Sequence, residues 1–116
     1  MSDSSANPGP RVRRVPRFKV NFAIRVFTLV RHRGCVIQGR SHDLCEDGMA
    51  IYIPAELEMG QTVQVEFLLP DSQQRLGISA IVRNCQGFRC GIQFDHLTIA
   101  EQKALEQCCE RLATAK

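Results

Sequence analysis

Val63-Gln64-Val65-Glu66-Phe67-Leu68-Leu69-Pro70-Asp71-Ser72 decides the fold class. Val63, Val65, Phe67 and Leu69 fall on alternate positions, so in an extended chain they share one face while Gln64 and Glu66 take the other. Pro70-Asp71-Ser72 then closes the run with turn-forming residues.

The pattern recurs in both directions. Upstream, Phe18 to Val30 reads as a first strand in which Val20, Phe22, Ile24 and Val26 alternate with Lys19, Asn21, Ala23 and Arg25. His32-Arg33-Gly34 reads as a turn, and Cys35 to Leu44 as a second, more polar strand with a bulge or bend at Gly39. Asp47-Gly48 makes a further turn, after which Met49, Ile51 and Ile53 alternate in a third strand stopped by Pro54. Ala55 to Gln61 is a loop ending at Gly60. Downstream, Leu76 to Arg83 is a fifth strand, Asn84-Cys85-Gln86-Gly87 a hairpin turn, and Phe88 to Phe94 a sixth strand with Ile92 and Phe94 facing in. Short strands at regular spacing, punctuated by turns, indicate an all-β barrel or sandwich.

The C-terminal end has a different period. Thr98-Ile99-Ala100-Glu101 has the spacing of a capping box, and Ile99, Leu105, Cys108, Cys109 and Leu112 form a helical apolar stripe down to about Ala113. A helix of roughly 14–16 residues is marginal alone in water, so it is expected to pack over one end of the strands. The organisation is therefore a disordered lead-in over 1–10, a β-barrel with its N-terminal arginine segment over 11–97, and a packing helix over 98–116.

A length of 116 residues suits one small domain with a single core. No apolar run approaches the ~20 residues that span a bilayer, and the first ten residues lack the basic start and apolar stretch of a signal peptide. A cytoplasmic location without membrane insertion is the expectation. Six cysteines in such a chain should stay reduced, and none has C-x2-C spacing; the three histidines are scattered, so no metal is expected. Cys85 and Cys90 flank the last hairpin and are expected to lie close across it.

Charge is distributed unevenly. Residues 1–40 carry nine Arg and Lys against one acid, a net +8, whereas the remaining 76 residues carry six against eleven, a net −5. Eight of those nine are arginine, the side chain suited to bidentate contact with phosphate and to stacking on flat rings. Within this region Arg13-Arg14-Val15-Pro16-Arg17 places two arginines four residues apart just ahead of the first strand. After the second strand, Asp43-Leu44-Cys45-Glu46-Asp47-Gly48 places an acid and a small side chain before a tight glycine turn. An arginine fork matches the two acceptors on one edge of guanine, and a carboxylate matches the two donors on another. The pair of motifs therefore points to a planar, anionic, guanine-bearing ligand.

Arg13-x-x-x-Arg17, Asp43-x-Cys45-x-x-Gly48 and Gly91-Ile92-Gln93-Phe94, in this order over nearly the whole chain, resemble the R-x-x-x-R, [D/N]-x-S-x-x-G and G-x-x-F motifs of the PilZ domain family. The resemblance implies a six-stranded antiparallel β-barrel with a C-terminal α-helix, and a non-enzymatic receptor for the second messenger cyclic di-GMP that signals to a downstream protein. Arg13 and Arg17 would clamp phosphate oxygens and the N7/O6 edge of guanine, with Arg14 beside them. Asp43 would accept from N1 and N2, Cys45 would sit beside the base, Gly48 would supply the turn, and Gly91 would leave room along the last hairpin. Val12, ahead of the arginines, holds a position that influences ligand stoichiometry in the family; Arg11 and Arg14 could reach a second molecule.

Cys45 departs from the family's serine. A thiol is the weaker donor and acceptor, which would cost about 0.5–1.5 kcal/mol if that group bonds ligand or turn. A partly exposed thiol in a basic pocket would also have a lowered pKa and be open to oxidation. The runner-up function is a PilZ-like adaptor that works by protein contact without the ligand. Specific nucleic-acid binding is disfavoured because the seven aromatics lie mostly on inward strand positions, and no triad or metal arrangement suggests an enzyme.

Overall fold

The structure is a computed structural model that describes residues 16–115. Arg13, Arg14 and the expected lead-in over 1–10 lie outside the described residues. Six strands, β1 (Phe18–Val30), β2 (Arg33–Cys45), β3 (Gly48–Tyr52), β4 (Thr62–Leu68), β5 (Arg75–Gln86) and β6 (Arg89–Asp95), precede one helix, α1 (Ile99–Thr114). The strands close into an antiparallel barrel in the order β1-β2-β3-β6-β5-β4. Closure leaves no open sheet edge.

The inward side chains are those marked by alternation. Ile24 and Val26, Met49 and Ile51, Val63, Val65 and Phe67, Ile78, Ala80 and Val82, and Ile92 and Phe94 are all buried in one core. Phe22, Phe67 and Phe94 stack in sequence, with ring centroids 5.6 and 6.3 Å apart. The helix covers the end of the barrel where β2 and β4 finish. Leu105, Cys108 and Cys109 are buried there, and Arg111 donates to the Asp71 carboxylate at 3.0 Å. Its start is the capping box: the Thr98 side chain accepts from the Glu101 amide, and the Glu101 carboxylate accepts from the Thr98 amide, both at 3.0 Å. Ile99 is not part of the buried stripe. It is 74 % exposed, because it opens the helix before the chain reaches the barrel wall.

Three local expectations are corrected. The β1–β2 turn is Arg31-His32, not His32-Arg33-Gly34, and both residues take positive φ (52° and 67°) without a glycine's freedom. β5 continues through Asn84, Cys85 and Gln86, so the last hairpin turns at Gly87-Phe88, with Gly87 at φ 62°. Gly39 is not a bulge: it stays in register opposite Ile24, and a Cβ there would meet the Tyr52 carbonyl oxygen at 2.5 Å. Close strand approach excludes a side chain at that position. Cys85 and Cys90 are indeed cross-strand partners, and all six cysteines are free.

Candidate functional site

Two bulges prepare one outer patch of the barrel. On β2, Ser41 pairs with Ile51 and Asp43 with Ala50, so His42 is an extra residue. In a regular strand Asp43, two residues on, would share the inward face of Ser41, which is fully buried; the bulge turns it outward beside Ala50. On β5, Val82 pairs with Ile92 and Asn84 with Gly91, so Arg83 is extra and Asn84 turns outward too. Re-aiming a side chain is what a bulge does well. Part of the cost falls on His42, whose Nε2 is shielded from solvent without a hydrogen-bond partner among the described residues.

The result is a transverse row across four strands: Asp43, Ala50, Gly91 and Asn84. The row nearer the helix reads Cys45, Gly48 and Gln93, with the Arg83 guanidinium donating to Gln93 Oε1 at 2.7 Å. Small residues thus make a floor, and longer polar side chains make walls. Two adjoining hollows of about 370 and 320 Å³ share Arg17, Asn84 and Gly91.

Arg17 reaches over this floor from just ahead of β1. Its Nε donates to Asp43 Oδ2 at 3.2 Å and its Nη2 to Asp43 Oδ1 at 3.3 Å, in fork geometry. That hydrogen bond is the main cause of the raised Arg17 pKa, so the guanidinium stays charged. Asp43 Oδ1 also accepts from the Ala50 amide at 3.0 Å, which fixes the carboxylate to β3. Arg17 and Asp43, 26 residues apart, therefore meet as expected from the two motifs.

Gly48 serves differently from the sequence expectation. Gly48 is not the turn residue and does not have positive φ; it is the first residue of β3, paired with Cys45. A Cβ on it would clash with the Ile92 carbonyl oxygen, so its role is close approach of β3 to β6. Gly91 leaves room for the Asn84 amide, whose atoms lie 3.0–3.3 Å from where its Cβ would be.

Cys45 also departs from expectation. It is only 6 % exposed, and its thiol donates to Asp47 Oδ1 at 3.0 Å, with the Gly48 carbonyl 3.4 Å away. Burial, and then the Asp47 bond, push its pKa up to about 11 despite the opposing effect of Arg17. The protonated thiol is the wrong species for ready oxidation, so the lowered pKa expected for an exposed cysteine does not hold.

Asn84, Arg83, Gln86, Arg89 and Gln93 line these hollows but escaped sequence reading. The available signal was a change of phase: inward residues run Ile78, Ala80, Val82 and then Cys85, which requires an extra residue between them. Among the described residues no group of three or more potential ligands is placed to hold a metal ion, and no helix is long and apolar enough to cross a membrane.

The sequence profile of the PilZ domain matches residues 11–111. No curated protein matches the chain by sequence. Among solved structures, the Bacillus subtilis inhibitor of motility MotI/DgrA superposes with a TM-score of 0.74 at 17 % identity over 90 % of this chain and 52 % of that one. The chain thus spans about half the length of that protein. The PilZ domain with c-di-GMP of YcgR from Escherichia coli gives 0.70 at 17 % identity, covering 90 % of this chain and 93 % of that one. The K. pneumonia MrkH–c-di-GMP complex gives 0.69 at 16 % identity, covering 89 % and 53 %. Barrel order, terminal helix and a profile match over most of the length agree: the chain belongs to the PilZ domain family.

Proposed function

We propose that the chain is a receptor for cyclic di-GMP which changes conformation on binding and presents a new surface to a partner protein. The family is one of receptor domains rather than enzymes. The observation that carries the reading is the Arg17–Asp43 fork held over a floor of Gly48, Ala50 and Gly91. Without ligand the fork is an exposed ion pair, worth about 1 kcal/mol or less, so exchanging it costs little. An incoming guanine offers its N1 and N2 donors to Asp43, while Arg17 turns to phosphate or to the O6/N7 edge. Arg13 and Arg14, which lie outside the described residues, would add further charge-assisted bonds to the ligand. Each charge-assisted bond contributes about 1.5–3 kcal/mol. Cys45 supports the hairpin below the base through Asp47, in place of a hydroxyl.

The second reading, an adaptor that works without the ligand, draws on the same pair: Arg17 and Asp43 already satisfy each other. Calorimetric titration with cyclic di-GMP separates the two. Micromolar or tighter binding, lost in Arg13→Ala and in Arg17→Ala, supports the receptor. No heat and no shift in melting temperature at high ligand leaves the adaptor.

A further inference from the structure

One step along the barrel from Asp43, Ala50, Gly91 and Asn84, on the side away from the helix, lies a third transverse row. Arg40 pairs with Tyr52 and Tyr52 with Arg89, all pointing outward. Two residues of strand separate the rows, roughly 7 Å, so a dinucleotide seated on one reaches the next. Tyr52, the last residue of β3, is a large ring 55 % exposed between these two arginines. Arg40 is turned aside, its Nε donating to Asn21 Oδ1 at 2.7 Å and its Nη2 to the Asn21 carbonyl at 3.2 Å. Arg89 belongs at once to the hollow beside Tyr52 and to the one that holds Arg17 and Asp43.

We propose that Tyr52 and Arg89 form a second base platform, on which a further guanine stacks while the first is held by Arg17 and Asp43. The inference rests on the receptor reading above. An exposed phenol ring offers a flat apolar face, and a neighbouring guanidinium adds a cation that hydrogen-bonds guanine acceptors or stacks on the purine. The second guanine is either the other half of the same molecule or part of a second molecule. Calorimetric stoichiometry distinguishes these two.

Tyr52 is the only tyrosine, and the chain has no tryptophan, so its fluorescence reports this one position. A guanine stacked on it quenches that emission. The experiment titrates the full chain with cyclic di-GMP, following tyrosine emission and heat in parallel and correcting for ligand absorption with N-acetyltyrosinamide. Quenching should be saturable, with the midpoint of the calorimetric curve. Tyr52→Ala and Arg89→Ala should each bind about tenfold more weakly, with Tyr52→Phe close to the parent. Both side chains are exposed, and an unchanged melting temperature checks that each variant folds. Heat without quenching, or binding unaffected by Tyr52→Ala and Arg89→Ala, overturns the platform and leaves the receptor standing. No heat from the parent chain overturns the receptor reading and the platform with it.

Discussion

Two regions of the barrel surface, on seams three strands apart, carry clefts that differ in origin. At the β1–β4 seam the register is regular, Ile24 to Phe27 against Phe67 to Gln64, and a hollow of about 480 Å³ is lined by Phe22, Ala23, Leu68 and Pro70. Its charges settle among themselves: Glu66 bridges Arg25 at 3.5 Å and Arg75 at 3.3 Å. Around the β3–β6 seam lie two adjoining hollows of about 370 and 320 Å³, and the larger of these gathers Arg17, Asp43, Asn84 and Arg89. Ordinary alternation makes the first cleft. The second needs two bulges and three small outward residues, each a local departure from regular strand packing. Apolarity would favour the first cleft; the departures distinguish the one to which we assign a polar ligand.

The largest expected effect comes from filling a glycine on one seam and comparing it with another glycine. Gly48→Ala drives a Cβ against the Ile92 backbone, and overpacking of that kind costs about 1–3 kcal/mol or more. The melting temperature should fall by roughly 4–8 °C for each kcal/mol lost. Gly77→Ala, whose Cβ would meet only the Gln64 side chain at 3.7 Å, should leave it unchanged or slightly raised. Equal melting curves for the two would remove the distinction between a close-packed seam and an open one.

Next in size is the binding contrast. Arg17→Ala should weaken cyclic di-GMP by at least tenfold through loss of charge-assisted bonds, whereas Arg25→Ala at the β1–β4 seam should stay within about twofold. Parallel calorimetric titrations of the two variants check this. A stronger effect at Arg25 would move the site to the apolar cleft.

A smaller effect concerns alkaline pH. Burial raises Cys45 and Cys108 to about 11 and Cys109 to about 12, from an ordinary 9.0. The folded chain holds these protons more tightly than the unfolded chain, so the stabilisation is complete below about pH 9 and is lost as pH rises through 11 to 12. Melting temperatures measured across that range should decline, and more gently in Cys45→Ser, which removes one titrating thiol beside the polar cleft. The smallest effect is on affinity: Cys45→Ser should tighten cyclic di-GMP binding by no more than about tenfold, because a hydroxyl makes the stronger bond to Asp47.

Much of this architecture was legible in the chain. Alternation at Val63, Val65 and Phe67 or at Ile78, Ala80 and Val82 follows from the need to bury one face, and it located all six strands. The capping box at Thr98 and Glu101 was equally local. What alternation cannot locate is a turn that violates propensity, such as Arg31-His32, where long hairpin pairing overrides the preference for glycine. Nor does a motif contain the wall facing it. Asn84 and Arg89 come to Asp43 only through barrel closure, and the bulge at Arg83 reverses the parity on which inward and outward assignments rest. Glycine positions were visible, but the reason for Gly48 was not, because the Ile92 carbonyl that excludes a side chain comes from another strand.

The most direct test is an amide chemical-shift titration of the full chain with cyclic di-GMP, since both seams report in the same spectrum. Shifts concentrated at Asp43, Ala50, Asn84 and Gly91, with Phe22, Phe67 and Gly77 unmoved, are the predicted result. Shifts centred on the β1–β4 seam, or an unchanged spectrum at saturating ligand, would contradict the assignment of the ligand to the cleft made by the two bulges.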